Sequence, residues 1–250
     1  MPIKKGSTNF GSIYLGSTKI GQAYLGNVKV FQAAAPQPTT VTIGGKTYPT
    51  VQMPDGNVWL GYNLDYKFSG VTYVTEDQDS SSTSRYACYY GYDESTNGWN
   101  GNKYGLLYNW YAVDYMEQHK ATLFPGWHVP TFAELQSLAT AVGESTAVPN
   151  TVGLKLKSTT NWNDHPGTDA YGFNWLPAGY WIVDGFAQGG TEAANINRRG
   201  VLWSSTARQT TLTDRAYYVD VYGNTDTMFA DSNRYVYKIT GHSVRLVKDA

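Results

Sequence analysis

Residues 206–240 hold a high density of side chains that suit ligand binding. The segment is rich in tyrosine, aspartate, asparagine, threonine and arginine. Tyrosine supplies a large, rigid contact area at low entropic cost, and short polar side chains supply adaptable hydrogen bonds, as in antibody paratopes. We therefore predict a ligand-binding face made of twelve residues: Arg208, Thr210, Asp214, Tyr218, Asp220, Tyr222, Asn224, Asp226, Asp231, Asn233, Tyr235 and Tyr237.

A second set of residues is interleaved with the first and is predicted to form a fixed scaffold. Successive side chains of a strand point to opposite faces of a sheet, so apolar residues at alternate positions indicate a buried face. The stretch "AYYVDVYG" at 216–223 has this alternation. The predicted scaffold residues are Trp203, Val219, Val221, Phe229, Val244 and Leu246.

The residues that most often carry catalysis do not form a recognisable motif. The histidines at 119, 128, 165 and 242 include no i, i+4 pair and no H-E-x-x-H pattern, and His128 and His242 lie in apolar runs that predict structural roles. The lone Cys88 cannot form an internal disulfide and is predicted to be a small buried hydrophobe. The chain has no G-x-S-x-G elbow, P-loop or dinucleotide fingerprint. We expect a protein that is not an enzyme.

Calcium is the one cofactor that the residue types could bind. Asp220 with Asp226, or Asp226 with Asp231, would supply the carboxylate oxygens that calcium prefers. No D-x-[DN]-x-[DN]-G loop is present, so the prediction is that no cofactor is required.

Composition narrows the classes of partner. The net charge of the 250 residues is -1 and only 16% are charged, which gives no electrostatic reason to expect nucleic acid or an anionic membrane. No apolar run approaches the roughly 20 residues that span a bilayer. The start "MPIKKGSTNFGSIYLG" has two lysines without an apolar segment behind them, so we predict neither membrane insertion nor a signal peptide.

The chain is predicted to have two parts joined by a linker. Residues 11–20 and 21–30 both read G-x-x-Y-L-G-x-x-K-[IV], so 1–32 is expected to form β-hairpin repeats that serve attachment or oligomerisation. The alternative is a hairpin packed on its own domain. Residues 33–40 ("AAAPQPTT") read as the linker, and 41–250 as the ligand-binding domain.

The larger part is predicted to be α+β, with a mostly antiparallel sheet and two helices. Hairpin turns are expected at Gly44-Gly45 and Asp55-Gly56. Helices are expected at about 108–118 and 132–142, the second one beginning with a capping box of Thr131 and Glu134. Strands are expected at 172–181, 200–206 and 216–223 and in the remaining C-terminal segments.

Seven motifs in order carry a family resemblance over residues 41–249. They are "VTIGGKTY…VWLGYNL", "YGLLYNWYAV", "PGWHVPTFAEL", "GLKLKSTTNW", "GFNWLPAGY", "LWSST" and "HSVRLVKD". The chain resembles the Fibrobacter succinogenes major paralogous domain, found in Bacteroidetes and their phages. That resemblance implies a C-type lectin-like fold of the branch shared with formylglycine-generating enzymes. Those enzymes use a cysteine pair, and this chain has one cysteine, so their activity is not carried over.

The layout is also similar to the variable proteins of diversity-generating retroelements. In those proteins a C-terminal region is rewritten at the adenines of asparagine-type codons, which cannot yield Glu, Gln, Lys, Trp or Met. No Glu follows Glu192, and Gln209, Met228 and Lys238 are the exceptions between 206 and 240. The resemblance implies a variable region at about 200–245.

Together these resemblances imply a phage or prophage receptor-binding or tail-associated protein, located on the virion or an extracellular surface. Its partners would be a protein or glycan on a target cell, and virion structural proteins through residues 1–32. A homo-oligomer, specifically a trimer, would follow if the repeats assemble. The alternative is a bacterial cell-surface adhesin or carbohydrate-binding lectin, since Trp and Tyr can stack on sugars.

Overall fold

The computed structural model describes residues 39–76, 83–97, 104–143, 150–182, 196–209 and 211–249, and the backbone of four short strands before residue 39. Within these residues no helix has the length and apolar character that a membrane crossing requires. The chain divides into two compact units, residues 1–38 and 39–250.

Unit 1 contains two antiparallel hairpins that follow the sequence repeat. In the first, Leu15 pairs with Thr18, and in the second, Leu25 pairs with Val28. Each repeat thus contributes two strands that pair with each other, as predicted. The four strands are β1 (Ile13–Leu15), β2 (Thr18–Ile20), β3 (Gln22–Leu25) and β4 (Val28–Gln32).

Unit 2 begins with a five-stranded sheet in the order β11-β17-β7-β6-β5. Its β5–β6 hairpin turns at Gly44 and Gly45, both at positive φ, and the β6–β7 hairpin turns through Asp55 and Gly56. Both turns lie where the sequence predicted them. The strands are β5 (Thr39–Ile43), β6 (Lys46–Gln52), β7 (Val58–Leu60), β11 (Trp127–His128) and β17 (Val247–Lys248).

The second sheet has eight strands in the order β14-β13-β12-β16-β10-β9-β8, with β15 also paired to β13. Its pairs are antiparallel except β8–β9 and β12–β16. The long central hairpin β12–β13 carries three of the twelve residues predicted to bind ligand, Tyr218, Asp220 and Tyr222, all on β13. The strands are β8 (Thr72–Tyr73), β9 (Tyr86–Cys88), β10 (Leu107–Asn109), β12 (Arg199–Ala207), β13 (Arg215–Tyr222), β14 (Met228–Phe229), β15 (Tyr235–Tyr237) and β16 (Gly241–Ser243).

Two helices dominate the helical part, near the predicted positions. One begins after Asn109, whose side chain accepts a hydrogen bond from the Ala112 amide. The other begins with the predicted capping box, in which Thr131 and Glu134 bind each other's backbone amides. Among the described residues the α-helices are α1 (Glu94–Asn97), α2 (Trp110–Gln118), α3 (Lys120–Leu123), α4 (Phe132–Ala141) and α5 (Val152–Leu156).

Helices α2 and α4 cover opposite faces of the β12–β13 hairpin. Trp203 and Ala216 belong to the core cluster that contains α2. Leu202, Val219 and Val221 belong to the cluster that contains α4. Successive side chains of a strand point to opposite faces of the sheet, so this alternation is expected where both faces are covered. Unit 2 is therefore α+β, as predicted, with a core cluster on each face of this hairpin.

Two details of the secondary structure differ from the expectation. Residues 172–181, all of them described, form isolated bridges at Trp175, Ala178 and Trp181 rather than a strand. The short helices α1, α3 and α5 add to the two that were predicted. Each of these three has four or five residues, too short a window for helical periodicity to be visible.

Candidate functional site

Along strand β13, buried scaffold side chains alternate with half-buried side chains. Val219 and Val221 are 0% exposed and pack under α4. Tyr218 and Tyr222 point to the opposite face and are half-buried. The scaffold prediction is confirmed for the buried residues Trp203, Val219, Val221, Val244 and Leu246.

Arg199 of β12 organises the half-exposed face. Its guanidinium carbon lies 5.2 Å from the ring centre of Tyr180, 5.9 Å from that of Tyr218 and 4.7 Å from that of Tyr222. Its Nε and Nη2 donate hydrogen bonds to Oδ2 of Asp220, at 2.9 and 2.6 Å. The arginine therefore holds three aromatic rings around one ion pair, which fixes their positions.

Arg234 completes this cluster from the loop before β15. Its Nη1 lies 3.7 Å from Oδ1 of Asp220, and its Nε donates to Oδ2 of Asp231 at 3.4 Å. The Phe229 ring lies beneath the guanidinium, 4.4 Å away. The Asp220 carboxylate is thus placed between two arginines.

Asp220 was predicted to face the ligand, and the structure corrects this. The residue is 0% exposed because the two arginines and the surrounding rings cover it. Burial raises the pKa of Asp220, and the positive charges of Arg199 and Arg234 oppose that shift. Asp220 lies beneath the half-exposed face and has no exposed surface with which to contact a ligand.

Phe229 is the second correction, because it was predicted to belong to the core. It is half-buried and pairs with Asp220 across the strands, whereas its neighbour Met228 pairs with Val221 and is 1% exposed. The pairing register places Met228 under α4 and Phe229 on the other face.

We call the face that carries Phe229 the arginine–tyrosine surface. It consists of Tyr180, Arg199, Tyr218, Tyr222, Phe229 and Arg234.

His242 lies behind the arginine–tyrosine surface. Its imidazole stacks on Tyr218 with ring centres 5.6 Å apart and packs edge-to-face with Trp203 with ring centres 4.3 Å apart. Burial, and then the charge of Arg199, lower the pKa of His242 well below its ordinary value. The imidazole is neutral, and its Nε2 lies 3.1 Å from the Thr240 hydroxyl, in keeping with the predicted structural role.

A second group of predicted residues lies on the opposite face of the sheet, beyond the first turn of α4. The Arg208 guanidinium stacks on Tyr235 at 3.6 Å, and that of Arg215 stacks on Tyr237 at 3.7 Å. Tyr237 is 48% exposed. Asp214 adjoins this group, because its carbonyl accepts a hydrogen bond from the Lys238 amide.

A third group lies in a polar cleft at the end of β13. Asn224 and Asp226 line it together with Asn150, Thr151, Asp164 and His165. His165 Nε2 lies 2.8 Å from Oδ1 of Asp226. The described residues of the predicted set thus lie in separate places and do not form one continuous face.

The remaining predicted residues have less defined surroundings. Asn233 is exposed, and its amide donates to Oδ1 of Asp231 in the turn before β15. Thr210 lies outside the described residues. Within the described ranges, no three His, Cys, Asp or Glu side chains form a group that could hold a metal ion.

The sequence did not point to Arg199, Arg234 or Tyr180. Arg199 stands opposite Tyr222 in the β12–β13 register, so alternation along "RGVLW" places it on the same face as Trp203 and could have identified it. Tyr180 offered no such signal, since it lies in irregular chain that only the fold brings close.

Two further expectations concern residues outside these groups. Cys88 is buried, as predicted, in a cluster with Leu107 and Trp181. His128, predicted to be structural, contacts two carboxylates: Nε2 lies 2.9 Å from Glu134 and Nδ1 lies 2.6 Å from Asp249. It joins the chain end to the start of α4.

Comparison with known proteins places most of the chain in one family. The model of the Fibrobacter succinogenes major domain matches residues 55–248, which include all three groups of predicted residues that the structure describes. No curated protein and no solved structure matches the chain.

Proposed function

Because the chain belongs to the Fibrobacter succinogenes major domain family and displays tyrosines and arginines on a sheet whose valines are buried, we propose that it is a non-enzymatic ligand-binding protein. The observation that carries the proposal is the alternation along β13. Tyr218 and Tyr222 form contacts on one face, while Val219 and Val221 hold the core on the other. Side chains at Tyr218 and Tyr222 can change without altering the buried positions of Val219 and Val221 on the other face.

The finer proposal is a binding face diversified by a retroelement on a C-type lectin-like fold. Met228 is one of three residues in 206–240 that asparagine-type codons cannot yield, and it is buried under α4, where a fixed residue is expected. Lys238 is another; its ammonium lies 4.6 Å from the Trp110 ring centre. Both support a division between fixed and variable positions.

The biological setting proposed is a phage or prophage receptor-binding or tail-associated protein. Residues 1–32 would attach to the virion, and unit 2 would face a protein or glycan on the target cell. The decisive observation is in the flanking DNA. We expect a reverse transcriptase gene and a near-copy of the codons for 200–245 that differs only at adenines. Absence of both contradicts diversification, and a leader in the native gene favours a bacterial adhesin instead.

Binding by the arginine–tyrosine surface is tested directly on cells. We expect the fluorescently labelled chain to bind intact cells of the host species, and Tyr222→Ala to weaken that binding at least tenfold, because the ring provides contact area. Thr42→Ala, on exposed β5, is the matched control and should bind like the unaltered chain. Equal loss in both variants, or in neither, contradicts the assignment of this surface.

A further inference from the structure

The polar cleft at the end of β13 is a separate feature with its own chemistry. It encloses about 670 Å³ between residues 150–151, 164–165 and 224–227. That volume lies within the range of sites for small ligands, roughly 300–1,000 Å³. None of the residues of the arginine–tyrosine surface lines it.

Buried polar side chains hold the walls of the cleft in place. The Asn150 side chain pairs with the backbone of Met228, donating to its carbonyl and accepting from its amide, both at 3.0 Å. The Lys157 ammonium, which is buried, donates to the carbonyls of His165 at 2.7 Å and Thr225 at 3.0 Å. The three wall segments are therefore fixed relative to one another before any ligand arrives, which reduces the entropic cost of binding.

Burial lowers the pKa of Lys157, and the nearby charge of Asp226 opposes the shift. The lysine thus tethers two backbone segments from beneath the cleft. The side chains of His165 and Asp226 remain 51% and 37% exposed above it. Their outward edges keep hydrogen-bonding capacity for a ligand.

The lining indicates the class of ligand. Carboxylates of Asp164 and Asp226 accept hydrogen bonds, while the Asn224 amide and the His165 imidazole both donate and accept. The lining residues include no lysine or arginine to attract an anion, and no tyrosine, tryptophan or phenylalanine to stack on a planar aromatic. Neighbouring hydroxyl groups, each a donor and an acceptor, match this set.

We propose that the polar cleft binds a neutral, hydroxyl-rich ligand, a single sugar unit of a glycan, through direct hydrogen bonds to Asp226 and His165. The proposed hydrogen bonds are direct and do not pass through a metal ion. The proposal stands whether or not the arginine–tyrosine surface is the receptor-binding face. If that surface binds the target, the cleft adds a second subsite beside it on the same unit.

The test uses the full chain in EDTA and saturation-transfer NMR with seven probes: glucose, galactose, mannose, fucose, N-acetylglucosamine, glucuronic acid and putrescine. We expect at least one neutral sugar to give a transfer signal that Asp226→Asn and His165→Ala each reduce at least fivefold. Asp226→Asn leaves intact the backbone bond from the Leu154 amide to the Asp226 carbonyl, so the cleft wall should persist. Circular dichroism checks that each variant is folded.

Asp114→Asn is the matched control, because Asp114 lies on α2, lines neither the cleft nor the arginine–tyrosine surface, and accepts a hydrogen bond from Nε2 of Gln118. Its sugar signal should equal that of the unaltered chain. The proposal is overturned if no neutral sugar gives a signal, if only glucuronic acid or putrescine does, if the signal needs calcium, or if it survives both cleft variants. None of these outcomes bears on the cell-binding test with Tyr222→Ala, so the two proposals fail separately.

Discussion

At the scale of single residues, Asp220 supplies the negative charge that pairs with two arginines. It has the type and spacing of a ligand contact, yet it is buried between Arg199 and Arg234. Removing one partner of a buried charge cluster leaves the other charges uncompensated. We expect Asp220→Asn to lower the free energy of unfolding by about 3 kcal/mol, measured by urea denaturation at pH 7.

The matched control for this prediction is Asp231→Asn. Asp231 contacts the same Arg234 but is partly exposed. Its substitution should therefore lower the free energy of unfolding by less than about 0.5 kcal/mol. Equal effects from the two variants would show that burial does not distinguish these carboxylates.

The His128 bridge predicts a pH dependence of stability with two limbs. Burial acts to raise the pKa of Glu134, but the hydrogen bonds from His128 and Thr131 outweigh it and bring the pKa to about 2. Hydrogen bonding to Glu134 raises the pKa of His128, with burial opposing. Ionised Glu134 therefore stabilises the fold fully above pH 4.5, and its contribution is lost as the pH falls toward 2. Protonated His128 stabilises the fold fully below pH 6.5, and its contribution is lost as the pH rises through the raised pKa of His128.

Urea denaturation from pH 2.5 to 9 measures both limbs. Glu134→Gln should flatten the acid limb while keeping the capping box, because glutamine can fill the same cap position. His128→Gln should flatten the alkaline limb. Unchanged slopes in both variants would contradict a role for this bridge.

At the scale of elements, the β5–β6 turn contains two glycines that are needed for different reasons: one for its backbone conformation alone, the other also because it has no side chain. Gly44 and Gly45 both have positive φ, which costs other residues about 1 kcal/mol. A Cβ on Gly45 meets nothing within 4 Å, whereas one on Gly44 would lie 2.0 Å from the Tyr66 ring. We expect Gly45→Ala to lower the free energy of unfolding by about 1 kcal/mol. Gly44→Ala should lower it by roughly a further 1–3 kcal/mol, because the new Cβ displaces the Tyr66 ring. Thermal unfolding of the two variants compares them, and equal melting temperatures would contradict the clash.

The elements that could be predicted from sequence are those whose cause is local. The capping box of Thr131 and Glu134 and the turn at Gly44-Gly45 depend on residues within a few positions. The candidate site depends on distant partners instead. Asp220 is buried because of Arg199, which is 21 positions away, and His128 binds Asp249 across 121 positions. Only the assembled sheet brings these together, so spacing in the sequence could not reveal them.

At the scale of the whole molecule, unit 2 places core side chains and half-exposed side chains at alternate positions of the same strands. The cores under α2 and α4 hold both faces of the β12–β13 hairpin. The arginine–tyrosine surface and the polar cleft lie beyond these covered areas and come largely from strand ends and loops. Substitution at Tyr218 or Tyr222 removes no core contact of Val219 or Val221.

The last prediction concerns how copies of the chain assemble. Isolated two-stranded hairpins are marginally stable in water, and unit 1 consists of two of them. Such hairpins gain stability when copies from several chains pack together, so we expect residues 1–32 to drive assembly into a trimer. Light scattering should give about three times the 27.7 kDa chain mass for the full chain, and the mass of one chain once residues 1–32 are removed. A single-chain mass for both proteins would contradict assembly through the hairpins, and a trimer that survives the deletion would place the contact in unit 2.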